Sequence, residues 1–89
     1  MRNLNELNGQ VSVAILEAEQ AQRKVSYLEE EISKLTPPFS AEGRIARRGA
    51  VRAAMAGRDE ERAKELVSRF LAEEGRDEKL SEELVVLIR

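Results

Sequence analysis

Apolar residues recur along the first third of the chain at positions 4, 7, 11, 14, 18, 21, 25, 28, 32 and 35, in alternating steps of three and four. Only a helix keeps such residues on one stripe, so this spacing predicts a long helix before composition is considered. In heptad letters the a positions are Leu4, Val11, Ala18, Val25 and Ile32, and the d positions are Leu7, Ala14, Ala21, Leu28 and Leu35. The stripe is narrow, which suits a second helix better than the broad contact of a globular core, and its strict 3.5-residue period implies a left-handed supercoil. A rod of about 48 Å is too long for so small a domain to cover alone. These ten residues are therefore expected to form an oligomer interface, most simply that of a homodimer, with a tetramer as the larger option. The competing expectation is an amphipathic helix packed on the chain's own C-terminal half. Gly9 falls at an f position, and Thr36-Pro37-Pro38 should stop the helix, because prolines remove donors and disfavour helical geometry in the residue before them.

An antiparallel pair of these helices is the expectation, with a parallel pair as the alternative. An antiparallel pair fills every layer in one register: Leu4 with Leu35, Leu7 with Ile32, Val11 with Leu28, Ala14 with Val25, and Ala18 with Ala21. It also sets Glu17 opposite Lys24 twice. A parallel pair gains β-branched a positions and a Lys24–Glu29 pair, but stacks Ala14, Ala18 and Ala21 on themselves. Val13, Ile15 and Leu16 are further apolar residues that could draw the C-terminal helices, or a second dimer, onto this thin middle.

With 89 residues, the chain is one small domain plus an extension, and such a chain needs help to be stable. It has neither Cys nor His, which leaves no disulfide, no thiolate site and no imidazole ligand, so packing between chains is the remaining aid. The absence of both residues also removes Ser–His and Cys–His nucleophile pairs and zinc motifs. No catalytic, cofactor or metal residues are expected, and the chain is read as non-enzymatic. Glu29-Glu30-Glu31 and Glu82-Glu83 are read as solvated surface rather than cation sites. The Gly43…Gly49 spacing is not a phosphate loop, because no Lys follows the second glycine. Apolar runs reach only four residues and the N-terminus has no signal core, so a cytoplasmic protein without membrane contact is expected.

The fold class expected is all-α: residues 1–36 as a coiled-coil helix, 37–40 as a proline hinge, and 41–89 as a small three-helix segment. Ser40 should cap a basic helix over 41–57, with Gly57 closing it and Asp59 capping the next. Ala63, Leu66, Val67, Phe70 and Leu71 mark the buried face of the following helix, which Gly75 should end. Asp77 should cap a last helix that buries Leu80, Leu84, Leu87 and Ile88. Loops this short require neighbouring helices to fold back on one another.

Charge is unevenly divided: residues 1–39 sum to −2, 40–58 to +4 and 59–89 to −4. On the middle helix Arg44, Arg47, Arg48, Arg52 and, if the helix reaches it, Arg58 share an arc of about 140°. Val51 and Met55 fall inside that arc, opposite a smooth face of Ile45, Ala46, Gly49, Ala50, Ala53 and Ala56. Two roles fit such an arc. It is a contact surface for a protein partner or for phosphate, or it pairs internally with Glu60, Glu61, Glu65, Glu73 or Glu74. The functional expectation is thus a homo-oligomeric coiled-coil interaction or adaptor protein of scaffold type. The alternative is a dimeric nucleic-acid-binding or architectural protein gripping the phosphate backbone through the arginines; it would bind without sequence specificity, since the stripe lacks Asn or Gln for base edges.

Overall fold

The computed structural model describes residues 4–75 and 78–89, with the side chains of the first helix described from Asn8 onward. All regular structure among the described residues is helical: α1 (Leu4–Lys34), α2 (Ala41–Ala56), α3 (Glu60–Leu71) and α4 (Glu78–Leu87). The molecule measures 59 × 24 × 17 Å, because α1 extends well beyond the other helices.

Helices α2–α4 form a hub around Ala50, Val51, Ala54, Ala63, Leu66, Val67, Phe70, Leu80 and Leu84, with Met55, Leu71, Leu87 and Ile88 packed at its edge. The apolar spacing of α3 and α4 anticipated this core. Val51 and Met55 lie within the basic arc, for which an outward contact surface and an internal pairing were both expected roles; Val51 is fully buried and Met55 packs against the core. The physical reason is that arginine stems are long. A helix can therefore turn its basic side toward neighbours and still bury small apolar side chains between the arginines.

Local chemistry sets the helix ends. The Ser40 hydroxyl accepts a hydrogen bond from the Gly43 amide at 2.9 Å, and Asp59 Oδ1 accepts one from the Arg62 amide at 3.2 Å. A Cβ at Gly43 would lie 1.8 Å from the Pro37 carbonyl oxygen, so only glycine lets the hinge fold this closely over the first turn of α2. α1 ends at Lys34, and Leu35, expected as the last d residue of the helix, sits in the turn that follows. α3 ends at Leu71, earlier than Gly75. The Asp77 cap lies outside the described residues.

The end of α2 differs from expectation in its mechanism. The left-handed residue is Arg58, with φ of 61°, while Gly57 has an ordinary φ of −83°. The Asp59 amide donates back to the Ala54 carbonyl at 2.9 Å, the wide hydrogen bond of a Schellman ending. Glycine is required at 57 for proximity instead: a Cβ there would meet Arg23 Cγ at 2.6 Å and the Glu19 carbonyl oxygen at 3.0 Å. Arg58 therefore lies beyond α2 and is not part of its helical arc.

α1 runs antiparallel along α2. Its contacts step down α1 as they climb α2: Arg47 Nη2 donates to the Thr36 and Ser33 carbonyls at 3.1 Å each, Ser26 Oγ to the Ala50 carbonyl at 2.7 Å, and Arg23 Nε to the Gly57 carbonyl at 2.6 Å.

Candidate self-association surface

The side of α1 that meets the hub is polar. Ser26, Glu30 and Ser33 are buried there, flanked by Arg23 and Glu19. Arg62 of α3 reaches across to this strip, donating through Nε to Ser26 Oγ at 3.1 Å and through Nη2 to Glu30 Oε1 at 2.7 Å, with its guanidinium 3.7 Å from the centre of the Tyr27 ring. Arg69 donates to the other Glu30 oxygen. Burial alone would push the Glu30 carboxyl up, but the two arginine hydrogen bonds and their positive charges outweigh it and hold the group below its ordinary range. Glu30 was expected in a solvated acidic surface; it is instead the buried anchor between α1 and α3.

The heptad seam lies on nearly the opposite side of α1 from this strip, and none of the described residues covers it. Every described a and d residue from Val11 to Leu35 is exposed, including Val25 (41%), Ile32 (45%), Val11 (58%) and Leu28 (64%). The side chains of Leu4 and Leu7 lie outside the described residues. All of residues 8–18 are exposed on every side, so this half of α1 projects past the hub. Val13, Ile15 and Leu16 are among them, so the described C-terminal helices of their own chain do not cover them. Packing on the C-terminal half and an open seam thus coexist, because they use different faces.

Sequence reading missed the docking strip, though a signal for it was present. Glu19, Arg23, Ser26, Glu30 and Ser33 also step by three and four, as a polar stripe at the b and f positions. A search for apolar periodicity passes over it.

The basic arc is partly internal. Arg47 is buried, pairs with Glu73 through two bonds of 2.8 Å, donates to the Gly43 carbonyl at 2.9 Å, and lies 5.7 Å from the Phe70 ring centre. Arg48 meets Glu83 at 3.1 Å, and Arg58 approaches Glu19 at 3.7 Å. Glu73 was among the expected internal partners; Glu83 and Glu19 were not. Arg44 is half-buried, and Arg52 is exposed. Arg48 and Arg52 join Lys79 around a groove of about 450 Å³ between α2 and α4, but Glu82 and Glu83 share its wall with Val86 and Leu87. The mixed signs give no strongly positive field for a phosphate there.

Among the described residues there is no group of acidic side chains arranged to hold a metal ion, and no helix long and apolar enough to cross a membrane. No family model, no curated protein and no solved structure matches the chain.

Proposed function

We propose that this protein is a non-enzymatic, cytoplasmic interaction protein that self-associates through the a/d seam of α1 and uses the hub of α2–α4 to hold another protein, as a scaffold or adaptor does. One observation carries this: the seam from Val11 to Leu35 is open along its whole described length, on a helix whose other face is already docked. A contiguous apolar strip of this kind marks an interaction site. The projecting half of α1 adds weight. A single helix of that length, carrying Gly9 and β-branched Val11, Val13 and Ile15, is marginal in water without a partner. A second helix on the seam supplies one.

Phosphate-backbone binding is the weaker alternative, because Arg47 is buried and Arg48 and Arg58 lie close to the protein's own glutamates.

Light scattering tests the proposal directly: the wild-type chain is expected at twice its monomer mass or a higher multiple, and a monomer overturns it. Leu28→Asp places a charge at a core d position, so the assembly should be lost. Circular dichroism on that variant should show α1 partly melted and the hub helices retained, since Leu28 faces away from them.

A further inference from the structure

Resting on self-association through the seam, we infer that the occupant of the seam is a second copy in antiparallel orientation, with the two hubs laid end to end along one side of the rod. The inference comes from where the hub sits. Its contacts on α1 run from Glu19 and Arg23, beneath Gly57, to Ser33 and Thr36, beneath Arg47, and stop there. In the register that pairs Val11 with Leu28 and Ala18 with Ala21, the part of this half from Glu19 to Ser33 lies beside residues 6–20 of the partner. Its described residues 8–18 are the part of the partner that carries no hub. Each hub therefore ends where the other begins, at the central Ala18–Ala21 layer, and the side chains there are small enough for the backbones to approach closely.

The side on which the hubs fall follows from the e positions. The Glu29 carboxyl, at an e position, lies against α2 so closely that a Cβ at Gly49 would be 3.0 Å from it. α2 is thus on the e flank of the seam. In an antiparallel pair the two e flanks adjoin, which puts both hubs on the same side. Sliding the register by one heptad toward the C-termini would drive the hubs into overlap; sliding it the other way would strip apolar layers from both ends.

Glu29 also disfavours the parallel pair. That arrangement gains its ion pair only if Glu29 reaches the partner's Lys24, whereas Glu29 is half-buried with its carboxyl against Gly49 of its own chain. The antiparallel ion pair uses Glu17 and Lys24, both exposed. Parallel pairing would also align the two projecting halves with each other, leaving residues 8–18 of both copies away from either hub.

The chain has no native cysteine, so single cysteines report direction cleanly. Val11→Cys and Leu28→Cys are prepared separately, shown by light scattering to assemble under reducing conditions, then oxidised alone and after mixing. Crosslinked dimer as the main product only in the mixture is the expected result. Efficient crosslinking within each variant alone means a parallel pair, and overturns this inference while leaving self-association intact. An assembled protein that crosslinks in none of the three samples overturns the register. A wild-type monomer in light scattering removes the parent proposal as well. Charge reversal provides a second measurement. Lys24→Glu should weaken assembly on the order of tenfold, because it creates two like-charge contacts with Glu17, and adding Glu17→Lys should restore it. Failure to restore counts against the antiparallel pair.

Discussion

Along α1, the strip that meets the hub consists of Glu19, Arg23, Ser26, Glu30 and Ser33, whereas the strip left open consists of Val11, Ala14, Ala18, Ala21, Val25, Leu28 and Ile32. Both advance by three and four residues, so the helix presents two seams of equal pitch and opposite chemistry. The difference lies in what each can specify. Hydrogen bonds such as Ser26 to the Ala50 carbonyl and Arg62 to Glu30 are directional, and sliding α1 by one turn would leave every partner unsatisfied inside the joint. Burial of Val and Leu is non-directional and follows area. The polar strip fixes one position for the hub on the rod; the apolar strip is the surface for the association proposed above.

If that contrast holds, the largest effect comes from removing the residue that ties the joint to the hub. Arg47 is buried with bonds to Ser33, Thr36, Gly43 and Glu73, so Arg47→Met removes one hydrogen bond from each of three carbonyls and two from a carboxylate. The expected loss is about 3–5 kcal/mol, the scale for breaking a buried ion pair from one side. Urea unfolding at fixed chain concentration measures it. A loss near zero would mean that α1 is held to the hub by packing alone.

The hub was readable from the sequence because its signals are local. Ser40 and Asp59 cap by short-range geometry, and Leu66, Phe70, Leu80 and Leu84 repeat on helical faces. The docking strip was not readable by the same rule, since Ser26, Ser33 and Glu30 are residue types usually found at the surface; only their partners on α2 and α3, far away in sequence, explain their burial. The arc around Val51 and Met55 left two roles open for a related reason: arginines fit an outward or an inward face until Glu73 and Glu83 are known to stand opposite them. The open seam was legible as a pattern of positions. Its exposure depends on which face the hub occupies, which no periodicity states.

Acid should separate the two strips. The folded-state value of Glu30 lies below its ordinary 4.5, so as pH falls the unfolded chain takes up the proton first. The stabilisation from Glu30 is therefore complete above that ordinary value and is lost as the pH drops through the folded-state value. Glu30→Gln should cost about 2 kcal/mol at neutral pH, where it weakens two charge-assisted bonds, and should flatten part of the decline below pH of about 4.5. The a and d positions of the seam carry no titratable side chain, so beyond the contribution of the flanking Glu17–Lys24 pairs a change in assembly over the same window is expected to follow the loosening of the joint. Measuring urea stability and mass together across this pH range shows the order. Dissociation that precedes loss of the joint would break the division of labour between the strips.

The smallest effects fall where the docked strip ends, at neighbouring residues with opposite needs. Gly57 has an ordinary φ but no room, since a Cβ would press on the Glu19 carbonyl and the Arg23 stem. Gly57→Ala should therefore wedge α1 away from the end of α2 and cost about 1–2 kcal/mol, within the range for overpacking. Arg58 has room but an unfavourable backbone, being a non-glycine residue at φ of 61°. Its side chain is mostly exposed and reaches Glu19 only at 3.7 Å, so little is lost with it. Arg58→Gly relieves the left-handed strain, at the cost of a more flexible unfolded chain, and should leave stability unchanged or raise it by up to about 1 kcal/mol. The two variants act on different sides of the boundary. Gly57→Ala should loosen Arg23 and Glu19, visible as faster amide exchange in the docked part of α1, while Arg58→Gly should leave that exchange unchanged. Loss of stability in Arg58→Gly equal to that in Gly57→Ala would show that the Arg58–Glu19 contact belongs to the joint, and that the docked strip extends beyond the helix end at which its hydrogen bonds stop.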